Sequence, residues 1–531
     1  MIRIRDISLP PQQDMAQLVY AAARQLRIDH TQIKQLDIKK RSVDARKKND
    51  VRLIYTVDVL VKGREDKILK MAHNPKASIA QEKLYTPPKG KELPEERPVI
   101  VGFGPAGMFC ALVLAQAGYR PIVLERGQDA KTRQEIVRKF WETGELDPSC
   151  NVQFGEGGAG TFSDGKLNTG VNNPRNYWVL EQFANAGAGA EILFDAKPHI
   201  GTDVLVNVVQ NLREEIANLG GEVRFGAKLT AIKTEGGRVT GAIVETQDGA
   251  QEISCRDLVL ALGHSARDTF RMLEKSGVPM QPKAFSMGVR IEHPQRMISD
   301  SQYGAFAENP ALGAADYKLS CRPAGGRGVY TFCMCPGGYV VNASSEEHRL
   351  AVNGMSYHDR AGENANSAVI VTVTPDDFGS DHPLAGISFQ RSLEEKAYQA
   401  GQGKVPVQRF GDFKEDQITT SYGMVHSCMK GASVFGDVRG IFPEEIAQSL
   451  EDGITAMDHK IHGFADNDAL LSGVESRTSS PVRIERDENF VCASCDWIYP
   501  CGEGAGYAGG ITSAAMDGMK VAEAIIQKYK S

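Results

Sequence analysis

The chain lacks the features of a secreted, membrane-spanning or nucleic-acid-binding protein. Its start, MIRIRDISLPPQQD, has no basic region followed by an apolar run, so no signal peptide is expected. The 10 cysteines do not show the paired framework of a small secreted domain, which favours a reducing compartment and a cytoplasmic location. The net charge is −6, so no nucleic-acid partner is expected for the chain as a whole.

A membrane helix is also not expected. The stretch from Pro98 to Tyr119 carries no charge, but Gly102, Gly104, Pro105 and Gly107 interrupt its beginning. A buried strand, a turn and a packed helix explain the same apolarity better.

Glycine, by contrast, is abundant and clustered, and three segments match G-x-G-x-x-G. The first, GFGPAG at Gly102–Gly107, follows the apolar strand PVIV, opens a helix and is followed by a second strand that ends at Glu125. In such a unit the glycines allow a tight turn and close approach of a pyrophosphate, and the helix start offers free N–H groups. The acid about 20 residues on can accept hydrogen bonds from ribose hydroxyls. This segment therefore predicts a dinucleotide site.

The other two matches lack that complete context. GEGGAG at 155–160 precedes TFSDGKLN, a poor helix start, but Ser163, Asp164 and Lys166 suit a loop that meets phosphates or flavin oxygens. GAGYAG at 504–509 follows a strand and opens a helix, with no second strand and acid after it. We therefore expect one site that three glycine segments approach from different parts of the chain.

These segments carry a family resemblance. VIVGFGPAGMFCALVLAQAGYRPIVLERG resembles the FAD fingerprint of the glutathione reductase and p-hydroxybenzoate hydroxylase superfamily, LVLALGHSARD its Ala-Thr-Gly strand, and IYPCGEGAGYAGGI its C-terminal Gly-Asp motif. Leu262 replaces the Thr and Glu503 replaces the Asp. More narrowly, FGEGGAGTFSDGKLN, YTFCMCPGGYVVNAS, ESRTSSPVRI and KKRSVDARKK resemble a bacterial family of uncharacterised FAD-dependent dehydrogenases, over nearly the whole chain.

The resemblance implies where FAD binds. It assigns the ADP half to the first glycine segment and Glu125, the adenine to backbone at Leu229, the ribityl-phosphate to Gly502 and Glu503, and the flavin ring to the helix start at Gly510–Thr512. The residues expected to bind the cofactor are Gly102, Gly104, Pro105, Ala106, Gly107, Glu125, Arg126, Gly157, Gly158, Ala159, Gly160, Ser163, Asp164, Gly165, Lys166, Leu229, Gly263, Gly502, Glu503, Gly509, Gly510, Ile511 and Thr512.

The resemblance also implies the fold and the reaction class. The expected fold is α/β, with a discontinuous Rossmann-like FAD-binding domain, an inserted antiparallel β-rich domain and a small N-terminal α+β domain. The expected boundaries are 1–75 for the N-terminal domain, 76–97 for a linker, 98–283 for the first part of the FAD-binding domain and 284–423 for the inserted domain. Residues 424–531 are expected to form a helical return and the second part of the FAD-binding domain.

The expected function is an FAD-dependent oxidoreductase that transfers two electrons at flavin N5 to or from a small organic substrate. No second complete fingerprint is present, so no separate NAD(P)H domain is expected; NAD(P)H as a transient reductant stays open. The sequence names neither the substrate, nor a catalytic side chain, nor the oligomeric state.

Several polar residues outside the glycine segments leave alternatives open. His264 and Arg477 are candidates to face the flavin or an anionic substrate, or else structural hydrogen-bonding groups. Cys333 and Cys335, spaced to share one face of a strand, and Cys492, Cys495 and Cys501 could be redox or zinc-binding thiols. Buried free thiols are the preferred interpretation, and no metal is expected.

The run KQLDIKKRSVDARKKNDVR in the N-terminal domain is rich in basic residues and contains no aromatic residue. A solvated hairpin is the preferred interpretation. An RNA-associated flavoprotein, in which residues 1–75 recruit RNA, is the alternative.

Overall fold

The computed structural model describes residues 1–12, 14–82, 84–171, 173–323 and 326–529. The N-terminal unit is a four-stranded antiparallel sheet in the order β2-β3-β1-β4. Ile2, Ile4 and Ile7 of the first strand are at most 1% exposed and form its core with one helix face. The elements are β1 (Ile2–Leu9), α1 (Met15–Leu26), β2 (Ile33–Asp44), β3 (Arg52–Val61), α2 (Glu65–Ala72) and β4 (Ala77–Ile79).

A five-stranded parallel sheet forms the centre of the nucleotide-binding domain. Its strands, in spatial order, are β23 (Ile498–Pro500), β11 (Leu258–Leu260), β5 (Val99–Val101), β6 (Ile122–Leu124) and β7 (Glu222–Arg224). Most of its short strands are continuous apolar runs such as VIV and LVL, because helices cover both faces of a parallel sheet. A three-stranded antiparallel sheet, β10-β9-β8, lies in the same part of the chain. The elements are β5 (Val99–Val101), α3 (Pro105–Gln116), β6 (Ile122–Leu124), α4 (Ala130–Thr143), α5 (Pro174–Asn185), α6 (Thr202–Asn218), β7 (Glu222–Arg224), β8 (Lys228–Glu235), β9 (Arg238–Thr246), β10 (Gly249–Ser254), β11 (Leu258–Leu260), α7 (Arg267–Lys275) and β12 (Met280–Pro282).

The inserted domain is built on a seven-stranded sheet in the order β14-β15-β18-β13-β21-β19-β20. All neighbouring strands are antiparallel except the last pair. The elements are β13 (Phe285–Pro294), α8 (Gln295–Tyr303), β14 (Ser320–Cys321), β15 (Val329–Cys335), β16 (Tyr339–Asn342), β17 (Val352–Met355), β18 (Asn364–Val373), α9 (Pro375–Phe378), α10 (Ala385–Ala400), β19 (Val405–Arg409), α11 (Phe410–Lys414), β20 (Ser433–Phe435), α12 (Glu444–Met457) and β21 (Leu470–Glu475).

The inserted domain extends past the boundary at residue 423 that composition suggests. Helix α12 packs its buried face into the core of this sheet, and β21 pairs with β13 inside it. Sequence periodicity identifies a helix but not the sheet on which it packs, so the helical return expected from residue 424 onward lies in part in the inserted domain.

The chain then returns through β22 (Val482–Ile484), which pairs antiparallel with β12, and completes the parallel sheet with β23 (Ile498–Pro500), which α13 (Ile511–Lys528) follows. Helices α13 and α3 lie so close that a Cβ at Gly518 would be 2.0 Å from the Ala106 carbonyl oxygen. The α/β class, the discontinuous Rossmann-like domain and the β-rich insertion are thus confirmed. Within the described ranges, no helix is long and apolar enough to cross a membrane.

Candidate functional site

One cavity of about 470 Å³ lies between the carboxyl ends of the parallel strands and the inserted sheet. The three glycine segments, far apart in sequence, all contribute to its wall. Of the residues expected to bind the cofactor, all line this cavity except Gly107, Gly157, Gly502 and Thr512, which lie behind the wall. The structure therefore brings the three segments to one site.

The first segment has the geometry of a tight turn into a helix. Gly102 has φ +101°, and a Cβ there would lie 2.4 Å from the carbonyl oxygen of Ala261 on the neighbouring strand's extension. A Cβ at Gly107 would lie 1.9 Å from the Gly102 carbonyl oxygen. Helix α3 begins after Gly104 with no side chain capping it, so its first N–H groups are available to a ligand in the cavity.

Glu125 links two glycine segments. Its carboxylate accepts hydrogen bonds from the backbone N–H of Phe103 and Gly127, both at 2.9 Å, and of Gly155 at 3.0 Å. A carboxylate offers about four lone-pair positions, so one remains for a ligand hydroxyl. The predicted ribose contact stays a prediction, and the structure adds a role in holding the cavity wall together.

The side chains of the second segment are bound to protein groups. The Ser163 hydroxyl donates to the Gly160 carbonyl oxygen and accepts from the Gly165 N–H, closing the loop on itself. Asp164 forms a two-point ion pair with Arg360, at 2.6 and 3.0 Å. Burial alone would raise the pKa of Asp164, but Arg360 and Lys166 lower it below its usual value. These polar groups fix the loop, and its backbone faces the cavity.

His264 and Glu503, the residue just before the third segment, form a polar pair at the cavity wall. His264 Nδ1 lies 3.3 Å from a carboxylate oxygen of Glu503, and the buried His264 Nε2 has no hydrogen-bond partner among the described residues. With Nδ1–H donating to Glu503, Nε2 is an acceptor for a ligand hydroxyl or N–H. Thr512, by contrast, donates its hydroxyl to the Leu167 carbonyl oxygen, and the Gly502 N–H donates to Asp517. Those two residues support the wall from behind.

The inserted domain supplies the opposite wall, which the glycine motifs do not reveal. Strand β15 is interrupted by a bulge between Phe332 and Cys335, in which Cys333 has φ +42°. Arg290 Nη1 donates to the Cys333 carbonyl oxygen at 2.8 Å, and Lys166 Nζ donates to that of Met334. Cys333 and Cys335 both line the cavity, and the Cys333 side chain is exposed within it. The residue spacing does not predict this bulge, because the side chains that stabilise it, Arg290 and Lys166, are distant from it in the sequence.

The other candidate thiols do not converge. All 10 cysteines are free. Cys501 packs in the core beneath α13, whereas Cys492 and Cys495 pack in a different core under the antiparallel strands. Among the described residues, no three His, Cys, Asp or Glu side chains are grouped to hold a metal ion.

Arg477 lines the cavity, but its guanidinium nitrogens are hydrogen-bonded to protein groups. Its Nε and Nη2 bind Glu394 at 2.9 Å, and its Nη1 donates to Ser265 and Ser345. Since each nitrogen has a protein acceptor, the structure favours the structural role over the pairing with an anionic substrate.

The basic hairpin of the N-terminal domain packs against the nucleotide-binding domain. The Arg41 N–H donates to the Phe194 carbonyl oxygen at 2.7 Å, and the Arg41 side chain binds Asp195 at two points. Much of the hairpin's charge is paired with carboxylates: Lys39 with Glu82, Arg41 with Asp195, Arg46 with Asp44 and Arg52 with Asp50. This pairing fits a solvated, docked hairpin better than a surface that recruits RNA.

Three family models match the chain. A model described as FAD-dependent protein, C-terminal domain-like, matches residues 284–478. One described as pyridine nucleotide-disulphide oxidoreductase matches residues 96–269, and a domain of unknown function matches residues 1–60.

Similar whole chains are also known. An uncharacterized protein of Clostridium beijerinckii is 48% identical over 532 residues, covering 99% of each chain. Among solved structures, a glycine oxidase from Bacillus cereus is 10% identical, with a TM-score of 0.35, over 82% of this chain and 96% of that one. A glycerol-3-phosphate dehydrogenase from Bacillus halodurans complexed with FAD is 11% identical, with a TM-score of 0.36, over 82% of this chain and 65% of that one.

Proposed function

The chain belongs to a family of FAD-dependent oxidoreductases that includes the Clostridium beijerinckii protein, and from that premise we propose that it transfers two electrons between FAD and a small organic substrate. The observation that carries this proposal is the single cavity on which three glycine segments and the inserted sheet converge. We assign the binding of both FAD and the substrate with which it exchanges electrons to this cavity.

The residues around the cavity fit FAD. At Gly102 and Gly107 any side chain would meet backbone atoms, whereas a Cβ at Gly104 would find only the Gly158 Cα, at 3.8 Å. That leaves open space in front of the α3 N-terminus, where N–H groups and a partial positive charge would hold the diphosphate. The partnerless Nε2 of His264 is a ready acceptor for a hydroxyl of the cofactor.

FAD, when bound, supplies the two-electron chemistry at its flavin ring. The chain positions it: Glu125 holds the first two glycine segments in register, and the α13 N-terminus, preceded by Gly510 with no side-chain cap, directs N–H groups at the cavity. Tyr317 and Met334, at most 5% exposed, help the inserted domain to cover the cavity and exclude water. NAD(P)H is proposed only as a reductant that docks transiently, since the one complete dinucleotide fingerprint is already assigned to FAD.

The proposal is tested by anaerobic titration of the purified protein. We expect a yellow protein whose flavin absorbance is bleached by two electrons per chain when dithionite is added, and by the true substrate in a screen of small alcohols, amines and acids. Bleaching by NADPH alone would identify a nicotinamide as the donor. A folded protein that is colourless and takes up no added FAD would contradict the proposal.

A further inference from the structure

The end of the cavity formed by the inserted domain has more positive than negative charge. Three carboxylates line it, and each already has a cation of its own within 2.8 Å. The pairs are Asp164 with Arg360, Asp316 with Lys197, and Glu475 with Arg290. The two charges of each pair cancel, so any further cation at this end is in excess.

Two lysines are in excess. Lys166 lies 3.9 Å from Asp164, a carboxylate that Arg360 already binds at two points. Lys318 is exposed, lines the cavity and forms no ion pair with any residue that the structure describes. Lys318 therefore offers a free ammonium group, and Lys166, which donates one N–H to the Met334 carbonyl oxygen, has further N–H groups for whatever enters the cavity.

Apolar side chains line the same cavity as these lysines. Phe332, Met334 and Tyr317 line this end together with the Cys333 side chain. Tyr317 directs its hydroxyl away from solvent to Ser367, at 2.8 Å, so its ring is the part left for a ligand. Ammonium groups beside an apolar surface match a ligand with an anionic group on an apolar body.

We propose that this end of the cavity binds a small organic anion, such as a carboxylate with an apolar body, and that Lys166 and Lys318 bind its anionic group. The inference rests on the proposed function, because the anion would be the molecule that exchanges electrons with the flavin. It goes further in giving the substrate class and the residues that select it.

The reaction of the Cys333 thiol can be used to measure the charge of this end of the cavity. Cys333 is exposed within it, and the thiol reacts with both iodoacetate, an anion, and iodoacetamide, its neutral counterpart of almost equal size. In both reactions the thiolate forms a C–S bond as the C–I bond breaks, releasing iodide. Burial raises the pKa of the Cys333 thiol to about 12, against the opposing effect of Arg290 and Lys166. The resulting thiolate fraction is common to both reagents, so the ratio of their rates isolates the charge of the reagent.

The experiment labels the FAD-loaded protein at pH 9 and follows the Cys333 peptide by mass spectrometry. We expect the iodoacetate-to-iodoacetamide rate ratio to exceed that of free cysteine and to fall as salt is raised. Lys318→Met and Lys166→Met should each lower the ratio by about threefold, as expected for one unit charge several ångströms away in water. Lys67→Met, which removes an exposed charge on α2 of the N-terminal domain, is the matched control and should leave the ratio unchanged.

Two results would overturn the inference while leaving the proposed function standing. One is a ratio that Lys318→Met and Lys166→Met change no more than Lys67→Met does. The other is a Cys333 thiol that neither reagent reaches in the FAD-loaded protein, since the cavity end would then be closed to ligands. Should Lys166→Met lose FAD, Lys318→Met carries the test. A colourless parent protein would overturn both proposals, and flavin absorbance rather than the labelling ratio would reveal it.

Discussion

Glu394, on α10 of the inserted domain, is a fully buried carboxylate that holds two arginines from elsewhere in the chain. Arg267, at the start of α7, and Arg477, just after β21, each bind it through two hydrogen bonds of 2.8–2.9 Å. Burial alone would raise the pKa of Glu394, but the two guanidinium groups hold it well below its usual value. This cluster joins the nucleotide-binding domain to the inserted domain directly behind the cavity.

Replacing Glu394 by Gln should therefore be severe. Two buried guanidinium groups would lose their shared counter-charge, and removing one partner of a buried ion pair costs about 3–5 kcal/mol of unfolding free energy. The control is Glu395→Gln at the next position, where a half-exposed pair with Arg349 should contribute less than about 1 kcal/mol. Urea unfolding of both variants measures the difference; equal losses would show that the buried cluster adds no more than a surface pair.

The same cluster predicts how stability depends on pH. Burial would raise the pKa of Glu346, but Arg391 and Arg267 lower it to about 2. A carboxyl with a lowered folded-state pKa stabilises the fold above its unfolded pKa, about 4.3, and that contribution is lost as the pH falls through the folded value. We expect the unfolding free energy to fall between about pH 4.5 and about pH 2. In Glu346→Gln that decrease should be smaller, and an unchanged pH profile would contradict the assignment.

At the scale of elements, the contact between α3 and α13 sets the shape of the cavity. Each helix begins at a glycine segment that lines the cavity, and the two backbones come close at Gly518, where a Cβ would lie 2.0 Å from the Ala106 carbonyl oxygen. Close backbone packing between α3 and α13 therefore helps to place the two helix starts that line the cavity.

A side chain at Gly518 should separate these two helix starts. In Gly518→Leu the new atoms would meet backbone within 2.0 Å, so α13 must shift, and we expect the bound FAD per chain to fall severalfold. Gln527→Ala, on the exposed face of the same helix, should retain FAD. The ratio of flavin to protein absorbance after gel filtration measures this; full flavin content in Gly518→Leu would show that the contact is dispensable.

Local sequence patterns predict the elements that local forces determine. The strand, turn and helix around Gly102 can be predicted from an apolar run and the glycine spacing. These signals lie within about 25 residues, because a dinucleotide-binding βαβ unit is determined by a short, continuous segment. The partners of β13 cannot be predicted in this way, because β18 and β21 join it from far along the chain. For the same reason the sequence does not single out Lys318 and Arg360: each is an ordinary loop cation until the inserted sheet brings it to the cavity.

At the scale of the whole molecule, FAD should stabilise the domain that encloses it. A ligand that binds only the folded state adds about 2.7 kcal/mol at a concentration about 100 times its dissociation constant. For a domain of about 150–250 residues this corresponds to a rise of roughly 5–10 °C in the thermal midpoint. We expect this rise when FAD is added to stripped protein.

Riboflavin is the matched ligand control for that experiment. It carries the ring system but not the diphosphate that the α3 N-terminus is expected to bind, so its effect on the midpoint should be smaller. Both ligands are compared at the same concentration, because equal saturation would hide a difference in affinity. An FAD effect no larger than that of riboflavin would contradict the assignment of the first glycine segment to the ADP half.

Strand β23 is translated long after β11, its neighbour in the parallel sheet, and this order has a consequence for biosynthesis. Strand β11 is translated with one side lacking its neighbour, and roughly 240 residues must follow before β23 can pair there, on the order of 10–50 s at about 5–20 residues per second. During that interval a nascent chain displays an unfinished sheet edge on the ribosome. We expect FAD to bind only after α13 has been translated, and until then the unpaired edge of β11 is open to aggregation or to chaperones that shield such edges.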